Sequence, residues 1–199
     1  MFYHPAEGHP LPHNPFSAIV APRPIAWIGT RGKLGDNLAP YSFFNAVAYT
    51  PPQVVFASTA AKPDRDGTKD TLAQIRESGV FSINLVTTDM IDAMNASSAP
   101  LPAGGDEFDH AGVTKAECRS IDAPRVSDAP ATLECRLVQE IPLLGAANFL
   151  IHGEVVGIHI RDDCLNDGRY SPPPRLARLG YRDYAAITEV FELERPPGG

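Results

Sequence analysis

"NLAPYSFFNAVAYTPPQVVFAS", residues 37–58, sets small polar side chains among aromatics and then breaks at two prolines. Asn37, Ser42, Asn45 and Thr50 alternate with Tyr41, Phe43, Phe44 and Tyr49, and Pro40 stands among them. A plain core strand has no use for so many hydrogen-bonding groups, because each one buried without a partner costs free energy. A wall built to hold a flat, polar-edged ligand does. The run from Leu38 to Ala48 reads as an irregular strand, and "QVVFAS" (53–58) as a continuously apolar, central one.

Upstream, "PIAWIGT" (24–30) reads as a strand and "RGKLGDN" as a hairpin turn. Downstream, "KDTLAQIRESG" (69–79) changes to helical period: Asp70 can cap, Leu72, Ile75 and Arg76 fall at helical spacing, and Gly79 suits the C-terminus. "VFSINLV" (80–86) is the next strand, and "TDMIDAMNASS" a short helix capped by Thr88 or Asp89. Residues 100–109 read as loop, which leaves the carboxylates Asp106/Glu107 and, further on, Asp162/Asp163 solvated. In "ATLECRLVQEI", Leu133, Cys135 and Leu137 face one way and Thr132, Glu134 and Arg136 the other, as in a half-buried antiparallel strand. "NFLIHGEVVGIHI" is a long strand with Gly153 and Gly157 as bulges or bends. Short strands with interposed short helices predict a barrel decorated by helices.

The 199 residues suffice for one sizeable domain. Seventeen Lys and Arg against 24 Asp and Glu give a net charge of -7, which excludes the basic stripe of a nucleic-acid binder. No apolar run approaches the roughly 20 residues that span a bilayer, and "MFYHPAEGHPLPHNP" lacks the parts of a secretory signal. A cytoplasmic protein with no membrane partner is expected. Cys118, Cys135 and Cys164 form no CxxC pair and read as free thiols. His152 and His159, an odd separation apart on one strand, are placed on opposite faces. No metal site is expected. "GTRGKLG" fails as a phosphate loop, since Leu34 follows Lys33, and no dinucleotide fingerprint occurs. "KDT" is more informative: a helix start favours an anion, and Lys69 and Thr71 add a charge and a hydroxyl.

"PRPIAWIGT", "DNLAPYSFFNAVAYTPPQVVFAS", "KDTLAQIRESGVFSINLV", "MNASSAP", "DEFDHAGVT", "APATLECRL", "FLIHGEVVGIHI" and "RLARLGYRDY" follow one another in this order. Together they resemble the flavin reductase-like FMN-binding split-barrel family, in its flavoredoxin-like branch, from about Pro22 to Tyr184. The resemblance implies a mainly β domain over 21–199, a six-stranded Greek-key split β-barrel with short helices, after a proline-rich arm over 1–20. It implies a homodimer with FMN near the subunit interface, an oxidoreductase using NADH or NADPH, and a small-molecule acceptor or redox partner protein. A non-catalytic electron carrier reduced by a partner protein is the alternative. The flavin contacts it implies are Asn37, Ala39, Pro40, Tyr41, Ser42, Phe44 and Asn45 along the ring, with Thr30 beside them. Lys69, Asp70 and Thr71 fall by the phosphate, and Arg23 and Arg178 are further candidates. No catalytic residue is assigned. Many flavin reductases carry Asp-His ahead of the strand ending in Gly-Glu-Val; Ala147 and Asn148 stand there in this chain.

Overall fold

The computed structural model describes residues 1–62 and 67–196, so the last three residues of the expected domain lie outside it. Seven antiparallel strands form the main sheet: β1 (Ala26–Gly32), β2 (Gly35–Tyr41), β3 (Phe44–Tyr49), β4 (Pro52–Ser58), β5 (Val80–Leu85), β6 (Ala131–Pro142) and β7 (Phe149–Ile160). Their order across the sheet is β2-β1-β5-β6-β7-β4-β3. The expected count of six is therefore corrected to seven. The extra strand comes from the opening stretch, which is not one irregular strand but two, parted at Ser42–Phe43.

That break shapes the molecule. β2 and β3 are neighbours in sequence yet occupy opposite edges of the sheet. Three Cα steps of 3.8 Å join Tyr41 to Phe44, so the edges come within about 11 Å of each other. The sheet must curl to allow this, and its edges do not pair. It is an open, split barrel.

The barrel interior is filled by alternate residues of each strand, among them Ile28, Tyr41, Phe56, Phe81, Ile83, Cys135 and Ile151. β4, expected to be a continuously apolar central strand, instead lies one in from the edge and buries Val54, Phe56 and Ser58 on one side. β1 is covered twice. Ala26 and Ile28 face the barrel, while Ile25 and Trp27 pack in a second cluster with Leu38, Met94, Phe108 and Leu176. Gly29 is needed where β1 runs close to its cover: a Cβ there would lie 2.4 Å from the Pro124 carbonyl oxygen.

Besides the one-turn helix Phe16–Ile19, three short helices among the described residues sit outside the sheet: α1 (Asp70–Ser78), α2 (Ile91–Ala96) and α3 (Glu107–His110). In α1 the apolar stripe Leu72 and Ile75 closes one mouth of the barrel, and Gly79 ends the helix at φ 72°. Its N-cap is Lys69 rather than Asp70, which occupies the first helical position. Likewise Thr87 and Met90 stand at the cap positions of the turn and helix around α2, and neither Thr88 nor Asp89 caps. Residues 100–109, expected to be loop, end in α3, where the Asp106 carboxylate accepts Phe108 N–H at 2.8 Å.

β6 departs from simple alternation. Thr132 and Glu134, assigned to the solvent face, are as buried as Cys135 because the hairpin of Lys115–Glu117 and Pro124–Val126 lies beside them. The register of β7 shifts at His152/Gly153 and at Val155/Gly157, bearing out the glycine bulges. The second shift resets the alternation, so His159 reaches Glu134 while His152 meets Gln53 at 2.6 Å. Both histidines lie off the barrel core, not on opposite faces. Among the described residues no group of His, Cys, Asp or Glu is placed to hold a metal ion, and no helix is long and apolar enough to cross a membrane.

Candidate functional site

Two adjoining hollows flank the edge of β2 where the barrel is split. The larger, about 270 Å³, lies between β2 (Asn37, Ala39, Pro40, Tyr41), the start of α1 (Lys69, Asp70, Thr71), Lys62, residues 97–100 and Glu107. The second, about 220 Å³, shares Pro40, Tyr41 and Ser98 and continues to Ser42, Ile25, Met94, Arg178 and Tyr184. Tyr41 belongs to both. It stands where the two meet.

One end of the larger hollow suits an anion. The first N–H groups of α1 have no intrahelical acceptors, and the helix dipole adds to their positive field. Lys69 is half-buried, its ammonium 5.5 Å from the Tyr41 ring centre. Burial, and secondarily the nearby Lys62, lowers its pKa. No carboxylate among the described residues pairs with it, whereas Lys62 is held by Asp70 at 2.6 Å. A desolvated ammonium facing a cavity is a costly arrangement unless a ligand supplies the counter-charge.

The polar side chains of the opening stretch divide into two groups. Asn37 donates to Thr71 Oγ1 at 2.9 Å and to Thr30 Oγ1 at 3.2 Å, and Thr30 donates to Gln74 at 2.6 Å. This buried chain ties β1 and β2 to α1 and fixes the anion-facing turn against the sheet. Tyr41 differs: its buried hydroxyl makes no well-formed hydrogen bond among the described residues, although the Thr71 and Ser58 hydroxyls lie near it, and burial outweighs them to push the phenol up to about 12. A hydroxyl with spare hydrogen-bonding capacity at the junction of two hollows fits a ligand's polar edge.

Of the expected contacts, Asn37, Ala39, Pro40, Tyr41, Ser42, Lys69, Asp70, Thr71 and Arg178 line these hollows. Four others do not. Thr30 is sealed behind Asn37. Phe44 packs against the barrel core, and Asn45 is exposed on β3 with its side chain turned to Ala46 N–H. Arg23 is buried, and its guanidinium donates to the carbonyls of Ser17, Val20 and Leu179, pinning the one-turn helix Phe16–Ile19 to the body. Among the aromatics of the opening stretch only Tyr41 forms wall; Phe43 is half-exposed and Tyr49 fully so.

Lys62, Ser97, Ser98, Met94, Tyr184 and Glu107 join the site without having been singled out. Glu107 is the sharpest omission, because it was expected to be solvated and is 4% exposed. The signal lay in Asp106, a cap residue directly before an acidic-aromatic pair, which is the start of a helix rather than a loop. Asp163 does remain in solvent, paired with Arg161 at 2.7 Å. Ala147 and Asn148 lie in the β6–β7 turn, where Asn148 Nδ2 donates to the Leu144 carbonyl at 2.9 Å.

The flavin reductase like domain model matches residues 19–182, and the chain belongs to that family. A Deinococcus radiodurans protein is 41% identical over 192 residues, covering 90% of this chain and 82% of the relative. Among solved structures, nitrilotriacetate monooxygenase component B from Bacillus cereus superposes with a TM-score of 0.83 at 32% identity, covering 89% of this chain and 90% of that one. Pseudomonas fluorescens 2-nitrobenzoate 2-nitroreductase NbaA gives 0.80 at 28%, covering 92% and 89%. The flavoredoxin of Desulfovibrio vulgaris (Miyazaki F) shares the fold, with a TM-score of 0.76 at 19% identity over 90% of this chain and 94% of that one.

Proposed function

We propose that this protein is an FMN-dependent oxidoreductase that takes electrons from NADH or NADPH and passes them to a flavin or another small acceptor. The observation that carries the reading is the larger hollow itself, which joins an anion-suited helix start to a wall whose Tyr41 hydroxyl makes no well-formed hydrogen bond among the described residues. Both ends fit FMN, a flat polar-edged ring that ends in a phosphate. Lys69 and the first-turn amides of α1 would hold the phosphate; Ala39, Pro40, Tyr41 and Ser42 would lie along the ring. Bound FMN supplies the redox chemistry, and the polypeptide binds, orients and shields it. Asn37, clamped to Thr71 and Thr30, keeps the two ends in register. Arg178, with its guanidinium 4.4 Å from the Tyr184 ring centre, stands at the second hollow and adds positive charge where a donor or acceptor enters.

Lys69→Ala should weaken FMN binding by about 1–3 kcal/mol, the loss of a charge-assisted hydrogen bond. Riboflavin, which lacks the phosphate, should bind the variant and the unmodified protein alike. Fluorescence titration with both flavins reads the difference, and unchanged FMN affinity would remove Lys69 from the phosphate site.

One observation favours the electron-carrier alternative. Asn148, which stands where many flavin reductases have His, spends its side-chain N–H on Leu144 and lines neither hollow. Anaerobic mixing of the FMN-loaded protein with NADH, then NADPH, then dithionite separates the two. Bleaching by a nicotinamide supports the enzyme; bleaching by dithionite alone supports the carrier.

The same reading makes the protein a cytoplasmic homodimer, with residues 21–199 as the FMN domain behind the arm of residues 1–20. Exposed apolar side chains on the edge strand (Val47, Tyr49) and around the β6–β7 hairpin (Val138, Leu144) support a second subunit. Sedimentation of the FMN-loaded protein at micromolar concentration tests it.

A further inference from the structure

We propose that Glu107 accepts hydrogen bonds from the hydroxylated chain that links ring and phosphate in the bound flavin, an inference that rests on the FMN reading above. α3 presents this side chain because the Asp106 cap fixes the helix start: its carboxylate accepts from Phe108 N at 2.8 Å and Asp109 N at 3.4 Å. Phe108 then anchors the helix in the second core cluster, and Glu107 meets the floor of the larger hollow. One oxygen, Oε2, accepts Leu38 N–H at 3.3 Å, and no side-chain donor among the described residues reaches the carboxylate.

A carboxylate offers about four lone-pair sites, and one buried with so few donors is under-satisfied. Burial first, and Asp70 more weakly, raise its pKa, while the Leu38 N–H, its own N–H and Lys62 act the other way. Something entering the hollow has to bring donors. The phosphate cannot, since it would meet Glu107 as a like charge and is drawn instead to Lys69 and α1. The ring belongs by the flat wall that continues to Ser42 in the second hollow, whereas Glu107 lines only the first. What lies between ring and phosphate is a chain of hydroxyls, each of which can donate. Glu107 would then select for a flavin that carries this chain, independently of its phosphate.

Three flavins separate the contributions: FMN, riboflavin without the phosphate, and lumiflavin without the hydroxyl chain. In Glu107→Gln, FMN and riboflavin should each bind about tenfold more weakly, the scale of one hydrogen bond to a charged group, while lumiflavin binds as before. Glu107→Asp, which keeps the charge but withdraws the oxygens, should show the same selective loss and serves if the Gln variant does not fold. Fluorescence titration reads all three without any turnover. Equal losses for lumiflavin, or no loss for riboflavin, would overturn the assignment of Glu107. Failure of the FMN reading shows elsewhere, in the unmodified protein binding none of the three.

Discussion

Phe56→Ala is expected to lower the free energy of unfolding by about 3–5 kcal/mol, as truncation of a fully buried aromatic does. Phe56 has no exposed surface, and its ring centre lies 5.1 Å from Tyr41 and 5.6 Å from Phe81. It therefore backs the one aromatic that forms wall in both hollows. Loss of flavin affinity should accompany the loss of stability, since Tyr41 would be free to relax into the cavity. Phe191→Ala is the control: that side chain is 85% exposed, and the change should stay within about 0.5 kcal/mol. Urea unfolding of both variants, with flavin titration at a denaturant-free reference, measures the two effects.

Glu134→Ala should cost about 2–5 kcal/mol, because it orphans donors inside the structure. The Glu134 side chain is 1% exposed, and its carboxylate accepts Arg119 N–H and Ser120 N–H at 2.6 Å each, with His159 Nε2 as a third partner. Burial alone would raise its pKa, but the Arg119 amide, His159 and the Ser120 amide together hold it below the usual carboxylate range. A group whose folded value lies below its unfolded value binds its proton more readily in the unfolded chain. Its stabilisation is then fully present above the ordinary carboxyl value of 4.5 and fades as pH falls through the folded value. Glu134→Gln, with nothing to protonate, should lose less stability than the unmodified protein over that acid range. Parallel acid limbs in the two proteins would contradict this account.

Local signals in the chain carried far, and their failures share a cause. Gly79, the Lys33–Leu34 hairpin and the bulges near Gly153 and Gly157 were legible because each depends on backbone conformation within a few residues. The pairing of anion-suited residues at 69–71 with the wall at 37–42 was legible through residue type and family resemblance. What escaped was set by remote cover. Glu134 sits on the polar phase of a strand, yet a hairpin some 15 residues earlier in the chain closes over it. Arg23 was a candidate for phosphate or flavin contact, and only the fold shows its guanidinium turned to the carbonyls of Ser17, Val20 and Leu179. The split of residues 37–49 into two edge strands also needs the whole sheet order, since nothing within "PYSFFN" says that its ends pair with different neighbours.

Whether the hollow holds FMN is read by titrating the flavin-free protein with FMN, followed by fluorescence and by absorbance. Saturable binding of one FMN per chain is expected, with riboflavin bound more weakly by the phosphate contribution of Lys69 and α1. No saturable change with FMN, or equal affinity for FMN and riboflavin, would contradict the assignment of this hollow to the phosphate-bearing flavin.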